Sequence, residues 1–201
     1  MKPLSSEQQK LVMDGAVQLF GTHEVKDISL DQLSRVSGIS AFDIVRHYQS
    51  RENILKSVLE RELELMAAAA HSPELRMPGE TLKDELHVLA GVILQEYRQR
   101  LPFMSKLLAE AIRNPEVGSL FYRTFIVQGR LLFMEFLNER KRVGELRDDV
   151  DVELAAAIFL ASLTGPLLAM ELFNGKSIES LDDEQLVNQI SSLFLEGVMP
   201  R

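Results

Sequence analysis

The sequence predicts an all-α protein of about nine helices, a three-helix N-terminal head followed by a larger helical body. Apolar residues recur at three- and four-residue spacing in segment after segment, as in Val12, Ala16, Leu19 and Phe20, the period of a helix with one buried side. Ser, Asn or Asp stands ahead of many of these runs, and Gly or Pro stands at several of their ends, the punctuation of capped helices. No convincing strand and no internal repeat interrupts the pattern.

Residues 5–21 make the first helix, and Gly21-Thr22-His23 ends it. Ser29 with Gln32 three places on forms a capping box for the second, each side chain satisfying an otherwise unpaired backbone amide. Leu30, Leu33 and Val36 give that helix its apolar side, and Ser37-Gly38-Ile39-Ser40 breaks it. Gly38 suits the positive φ of a helix C′ position, with Ile39 as an apolar plug and Ser40 as the next N-cap. The third helix carries Ile44 and Tyr48 on one face, and Ser50 caps a fourth running from Arg51 to near His71. Two short helices joined by a glycine-containing turn are a helix-turn-helix, whose second helix can enter the DNA major groove.

Beyond the head, residues 72–80, with Pro73, Pro78 and Gly79, read as the clearest loop. Glu80 to Arg100 reads as a helix, and Pro102 as the first turn of another that runs to Asn114-Pro115. Glu116 to Val143 follows as a long helix, then a turn over Gly144–Asp149. Asp151 opens a helix to Phe173 in which Gly165-Pro166 should produce a kink. Asn174-Gly175 stops it, and Asp182 to Val198 is the last helix.

Composition narrows the function. The 201 residues, 46% of them hydrophobic, are enough for one medium or two small domains. With no cysteine, disulfides and thiolate metal sites are excluded. Met1-Lys2-Pro3-Leu4-Ser5 leads into polar residues and gives no secretory signal, so a cytoplasmic location is expected. Leu154 to Met170 is uncharged, but its length, alanines and Gly165-Pro166 fit a buried interface helix better than a membrane span. The net charge of −8 is unhelpful to a nucleic-acid binder, yet residues 1–60 hold seven Lys/Arg against eight Asp/Glu, a net of only −1. The four histidines, His23, His47, His71 and His87, show no metal-binding spacing, and no phosphate or nucleotide loop occurs, so neither a metal, a cofactor nor an enzyme activity is expected.

Residues 10 to 60 resemble the DNA-binding domain of TetR-family transcriptional regulators. The resemblance is carried by Ala16, Leu19 and Phe20, then Ser29, Leu33, Val36, Gly38, Ile39 and Ser40, then Arg46, His47, Tyr48, Ser50, Arg51, Glu52, Ile54 and Leu55. It implies a DNA-binding domain at 1–55 and a ligand-binding and dimerisation domain at 56–201. It also implies a homodimer that binds a double-stranded operator, most simply as a repressor, under the control of a small, mainly apolar effector. The DNA-contacting set it implies is Ser29, Ser40, Ala41, Phe42, Asp43, Arg46, His47, Tyr48 and Arg51, with Arg51 as a phosphate clamp at a helix N-terminus. Here the chain departs from the family, which usually carries Lys or Arg, Gly, a small hydroxyl residue and Tyr where this sequence has Ala41, Phe42, Asp43 and Val45. Asp43 favours its own helix through the dipole and is repelled by phosphate, although a carboxylate can accept from cytosine N4. These departures motivate an alternative reading, an adaptor or co-regulator acting through protein contacts.

In the body, the resemblance implies an effector pocket near Met66, Tyr97, Phe103, Leu107, Phe121, Phe125 and Phe159. It implies a dimer interface of the last two long helices, with Ala157, Ala161, Leu186 and Ile190 among the contacts.

Overall fold

In a computed structural model, which describes residues 3–24, 27–70 and 81–200, these residues form nine α-helices and no strand. The helices are α1 (Ser6–Thr22), α2 (Leu30–Ser37), α3 (Ala41–Tyr48), α4 (Arg51–Ala70), α5 (Leu82–Arg113), α6 (Pro115–Phe121), α7 (Gln128–Arg142), α8 (Val152–Leu172) and α9 (Asp183–Val198). A π-helical turn, Tyr122–Val127, joins α6 to α7, and a 3-10 turn, Gly175–Ser177, follows α8. The loop expected at 72–80 lies outside the described residues.

The chain packs as two compact units, Met1–Leu63 with Arg100–Ile126, and Glu64–Gln99 with Val127–Arg201. These differ from the functional division expected at 55/56, because residues 100–126 pack in the same unit as the head. The reason is apolar burial: Phe20 of α1 meets Phe103 of α5 at 5.9 Å between ring centroids. In the same unit an ion pair between Arg100 Nε and Glu62 at 2.9 Å has both side chains largely out of water, a costly arrangement that is held when both partners are present.

In the first unit, α1 buries Val12, Ala16, Leu19 and Phe20, the side anticipated from spacing. Ser5 and Gln8 cap it reciprocally, a box like that of α2. Gly15 lets α2 come close, since a Cβ there would lie 3.3 Å from Val36 Cγ1.

Two expected helices, 80–100 and 102–114, are one. α5 runs unbroken from Leu82 to Arg113 with Pro102 inside. An interior proline costs roughly 3 kcal/mol. Leu101, Phe103, Met104 and Leu107 are all buried around it, and full burial of such side chains contributes about 1.5–3 kcal/mol each. Packing on both sides of Pro102 therefore outweighs the lost backbone donor. The helix expected over 116–143 is also modified: it begins at Pro115 on an Asn114 cap and widens into the π turn before α7. Phe121 and Phe125 stack across that turn at 5.5 Å.

The second unit is centred on a ring stack, Phe159 of α8 against Phe133 of α7 and Phe194 of α9, each pair at 4.8 Å. Gly144, at φ 82°, turns the chain after α7, and Arg147 N–H donates to the Val198 carbonyl at 2.9 Å, tying this turn to the end of α9. Asp151 and Asp182 cap α8 and α9 as their positions suggest. α8 continues through Gly165-Pro166 as one helix. It is the one described helix long and apolar enough to cross a membrane by length and composition, with a mean hydropathy of 1.8. Phe159, Leu163 and Leu167 turn one side of it into the core of this unit.

Candidate nucleic-acid interface

The helix-turn-helix is built by short-range hydrogen bonds and closed by two apolar side chains. Ser29 Oγ accepts from Gln32 N–H at 3.1 Å while Ser29 N–H donates to Gln32 Oε1 at 2.7 Å. Ser29 is thereby committed to capping α2, though its exposed position leaves it at the surface. At the turn, Gly38 sits at φ 71°, where a side chain would be strained. Ser37 Oγ donates to the Leu33 carbonyl at 2.7 Å and accepts from Ile39 N–H at 3.3 Å. A buried serine thus satisfies backbone groups on both sides of the bend. Ile39 fills the space beneath it.

Ser40 Oγ then accepts from Asp43 N–H at 3.1 Å and donates to Asp43 Oδ2 at 2.6 Å. Ile44 at 0% and Tyr48 at 5% exposure pin one side of α3 against the unit. Burial raises the Tyr48 phenol above its ordinary pKa, opposed by the nearby Arg61 charge, and its hydroxyl has no hydrogen-bond partner among the described residues.

The opposite side of α3 faces out. Phe42 is 66% exposed and Val45 42%. Arg46 Nη2 lies 3.3 Å from Asp43 Oδ1, and its guanidinium sits 5.9 Å from the Phe42 ring centroid. Asp43, the carboxylate on this helix, is therefore paired with a cation of its own helix. His47 is half-buried and meets the Tyr48 ring edge-on at 4.7 Å. Ala41 is half-buried at the first turn. The outward surface of α3 thus gathers Ala41, Phe42, Val45 and Arg46, with Asp43 beside them.

Arg51 has a structural partner that sequence reasoning did not foresee. Its Nη2 donates to the Ile28 carbonyl at 2.6 Å, 23 residues away, fastening the approach to α2 onto the start of α4. Two further residues missed from the sequence organise the exit of α3. Gln49 takes φ 67° without being glycine, and Asn53 Nδ2 donates to the Tyr48 carbonyl at 2.8 Å. The signal for Asn53 was available, because Asn near a helix start commonly satisfies such carbonyls and amides. Glu52 is held below the ordinary carboxylate range by the backbone amide and Ser50 hydroxyl that hydrogen-bond it.

The residues expected around an effector fall in both units. Phe103, Leu107, Phe121 and Phe125 are buried in the first, and Met66 and Phe159 in the second. Tyr97, in the second, is half-buried by residue, but its phenol is inside and burial pushes its pKa up to about 12. Of the expected dimer contacts, Ala161 is exposed and Ala157, Leu186 and Ile190 are half-buried. Leu154 at 57%, Ile158 at 54% and Leu193 at 65% exposure lie among them on α8 and α9.

Comparison with known proteins agrees with this architecture. Residues 92–197 match the family described as AefR-like transcriptional repressor, C-terminal domain, a TetR C-terminal class. The HTH-type transcriptional regulator SrpR of Pseudomonas putida is 25% identical over 170 residues, covering 81% of this chain and 75% of its own length. Among solved structures, a protein of Mesorhizobium loti described as TetR-family superposes with a TM-score of 0.79 at 15% identity, covering 98% of this chain and 100% of that one. The flavonoid-responsive regulator FrrA gives 0.69 at 22% identity, with 98% and 100% covered. With the domain match spanning more than half of its residues and the helix-turn-helix in place ahead of it, the chain belongs to the TetR family of transcriptional regulators.

Proposed function

We propose that the protein binds duplex DNA as a homodimer and represses transcription, and that a small, mainly apolar effector in the C-terminal domain weakens this binding. The observation that carries the DNA reading is the outward face of α3. Phe42, Val45 and Arg46 project from a helix whose other face is locked by Ile44 and Tyr48. In this reading Arg46 exchanges its contact with Asp43 for phosphate or a guanine edge, and Phe42 or Ala41 meets a thymine methyl. Ser29, Ser40, His47 and Arg51 would present backbone or side-chain donors to the phosphates. A cytoplasmic location would fit this reading.

Dimerisation is supported by the exposed apolar side chains Leu154, Ile158 and Leu193, together with Ala157, Ala161, Leu186 and Ile190. Small residues permit close helix approach, and the flanking Leu and Ile supply apolar area. Two heads related by a two-fold axis would read half-sites about 34–36 Å apart or multiples of that. Repression is suggested by the description of the matching family. An apolar effector is suggested by the flavonoid-responsive relative and by the stacked rings of Phe121 and Phe125 in the first unit. Coupling between effector and operator of about 1–3 kcal/mol is typical and must be reciprocal.

Fluorescence anisotropy with DNA from upstream of the gene, at several salt concentrations, tests the reading. A sequence-specific complex whose affinity falls steeply with salt is expected. Absence of sequence preference even at low salt would instead support the adaptor, for which the overall charge of −8 and Asp43 in the reading helix speak.

A further inference from the structure

The first unit holds a cavity of about 180 Å³, open to solvent on one side and distinct from the aromatic set expected to receive an effector. Its floor is apolar, with Phe20, Leu33, Ile54, Leu55 and Val117. A cavity of roughly 150 Å³ with such walls is enough for a benzene ring. What sets it apart is Glu110, which lines it while only 7% exposed.

A carboxylate that far from water needs a close cation or several donors. The cation beside Glu110 is Arg113, whose Nη2 is 3.4 Å away, at the long end of any hydrogen bond. The same Nη2 makes its close contact with Glu24 instead, and Arg113 is itself 53% exposed. Of the other charged groups lining the cavity, Arg51 is engaged by the Ile28 carbonyl and Glu52 adds a second negative charge at the rim. Among the described residues the lining therefore carries two carboxylates against one guanidinium, over an apolar floor of single-ring size.

We infer that this cavity binds a small organic cation, a protonated amine on a one-ring apolar body, with the ammonium on Glu110 and the ring against Phe20, Leu33 and Leu55. Charge-assisted bonds from an ammonium would complete the coordination of Glu110, and the ring would cover apolar surface now facing solvent. Because α1, α2 and α4 form one wall and α5 and α6 the other, an occupant would fasten the helix-turn-helix to α5 and α6. That regulatory consequence rests on the DNA-binding reading; occupancy of the cavity does not.

The test uses the full chain without DNA, so its failure is separate from failure of the operator assay. Benzylamine hydrochloride at neutral pH is titrated by calorimetry and by methyl NMR, with benzyl alcohol and phenylacetate as uncharged and oppositely charged comparators. Saturable benzylammonium binding is expected, with shifts at Leu33, Ile54 and Leu55 and with phenylacetate excluded. Glu110→Gln should weaken benzylammonium about tenfold or more while leaving benzyl alcohol unchanged. Val117→Phe, which fills the cavity from its edge, should abolish both and serves if Glu110→Gln fails to fold. No saturable binding to the wild type, methyl shifts elsewhere, or undiminished binding in the folded variants would overturn the inference.

Discussion

The outward faces of α3 and α8 both leave apolar side chains in water, and they do so in different ways. On α3, Phe42 and Val45 are interleaved with Asp43 and Arg46, and the guanidinium rests near the Phe42 ring. On α8, Leu154 and Ile158 lie with Ala161 and Gly165 along a face without a single charge between Glu153 and Glu171. A mixed apolar and ionic surface suits a partner that carries charge and methyl groups together, as a DNA groove does. A smooth apolar surface of small residues suits another helix, where close approach and excluded water provide the energy. The lesson is that exposure of hydrophobic residues is not one signal; the charges among them separate the kinds of partner.

The largest effect should come from the core that supports the α8 face. Phe159→Asp places a carboxylate where exposure is 1%, between Phe133 and Phe194. Loss of more than about 4 kcal/mol is expected, most of the stability of a marginally stable domain. A cooperative urea transition near the wild-type midpoint would show that this stack is not the centre of the unit.

Alkaline pH tests the dryness of the same unit. The Tyr97 phenol stands at about 12 when folded and near 10 when unfolded. Between these values the unfolded chain has released its proton and the native one has not, so stability falls as pH rises from about 10 to 12 and is unaffected below. The loss approaches roughly 2–3 kcal/mol, and Tyr97→Phe should remove that part of it. Parallel pH–stability curves for wild type and Tyr97→Phe would argue that the phenol is hydrated.

Ile158→Glu probes the α8 face itself. At 54% exposure the substitution should leave the monomer's secondary structure intact, while self-association measured by sedimentation weakens about tenfold or more through a buried unpaired charge. An unchanged dimer constant would move the interface away from α8.

The α3 side answers with smaller effects on stability. Ser29→Ala removes the reciprocal cap of α2, worth about 1 kcal/mol, readable as a lower denaturation midpoint. Arg46→Ala should cost under about 1 kcal/mol in stability, since its ion pair with Asp43 is at the surface. It should also lower the salt slope of DNA binding by about one. If Arg46→Ala instead left the slope unchanged and destabilised the fold, its pairing with Asp43 would be its purpose.

What the sequence determined by itself is a set of helix caps and one turn that close within four residues. The caps at Ser29, Ser40, Asp151 and Asp182, and the left-handed Gly38, need only their own neighbours to form. Local hydrogen bonds and steric limits act at fixed short spacing, so residue order is enough to read them. The α3 residues proposed to face DNA were suggested by the family resemblance, and only the burial of Ile44 and Tyr48 separates Ala41, Phe42, Val45 and Arg46 from the inward side.

The tertiary structure decided what depends on residues far apart in the chain. It carried α5 through Pro102, because the burial that offsets the lost donor comes from partners such as Phe20 more than 80 positions away. It turned Arg51 onto Ile28, paired Arg100 with Glu62, and set Glu110 beside Phe20 and Leu55. It also widened the chain into a π turn at Tyr122–Val127, for which no residue pattern gave warning. Packing and desolvation are sums over neighbours that no spacing rule contains, so these features could only appear once the helices had met.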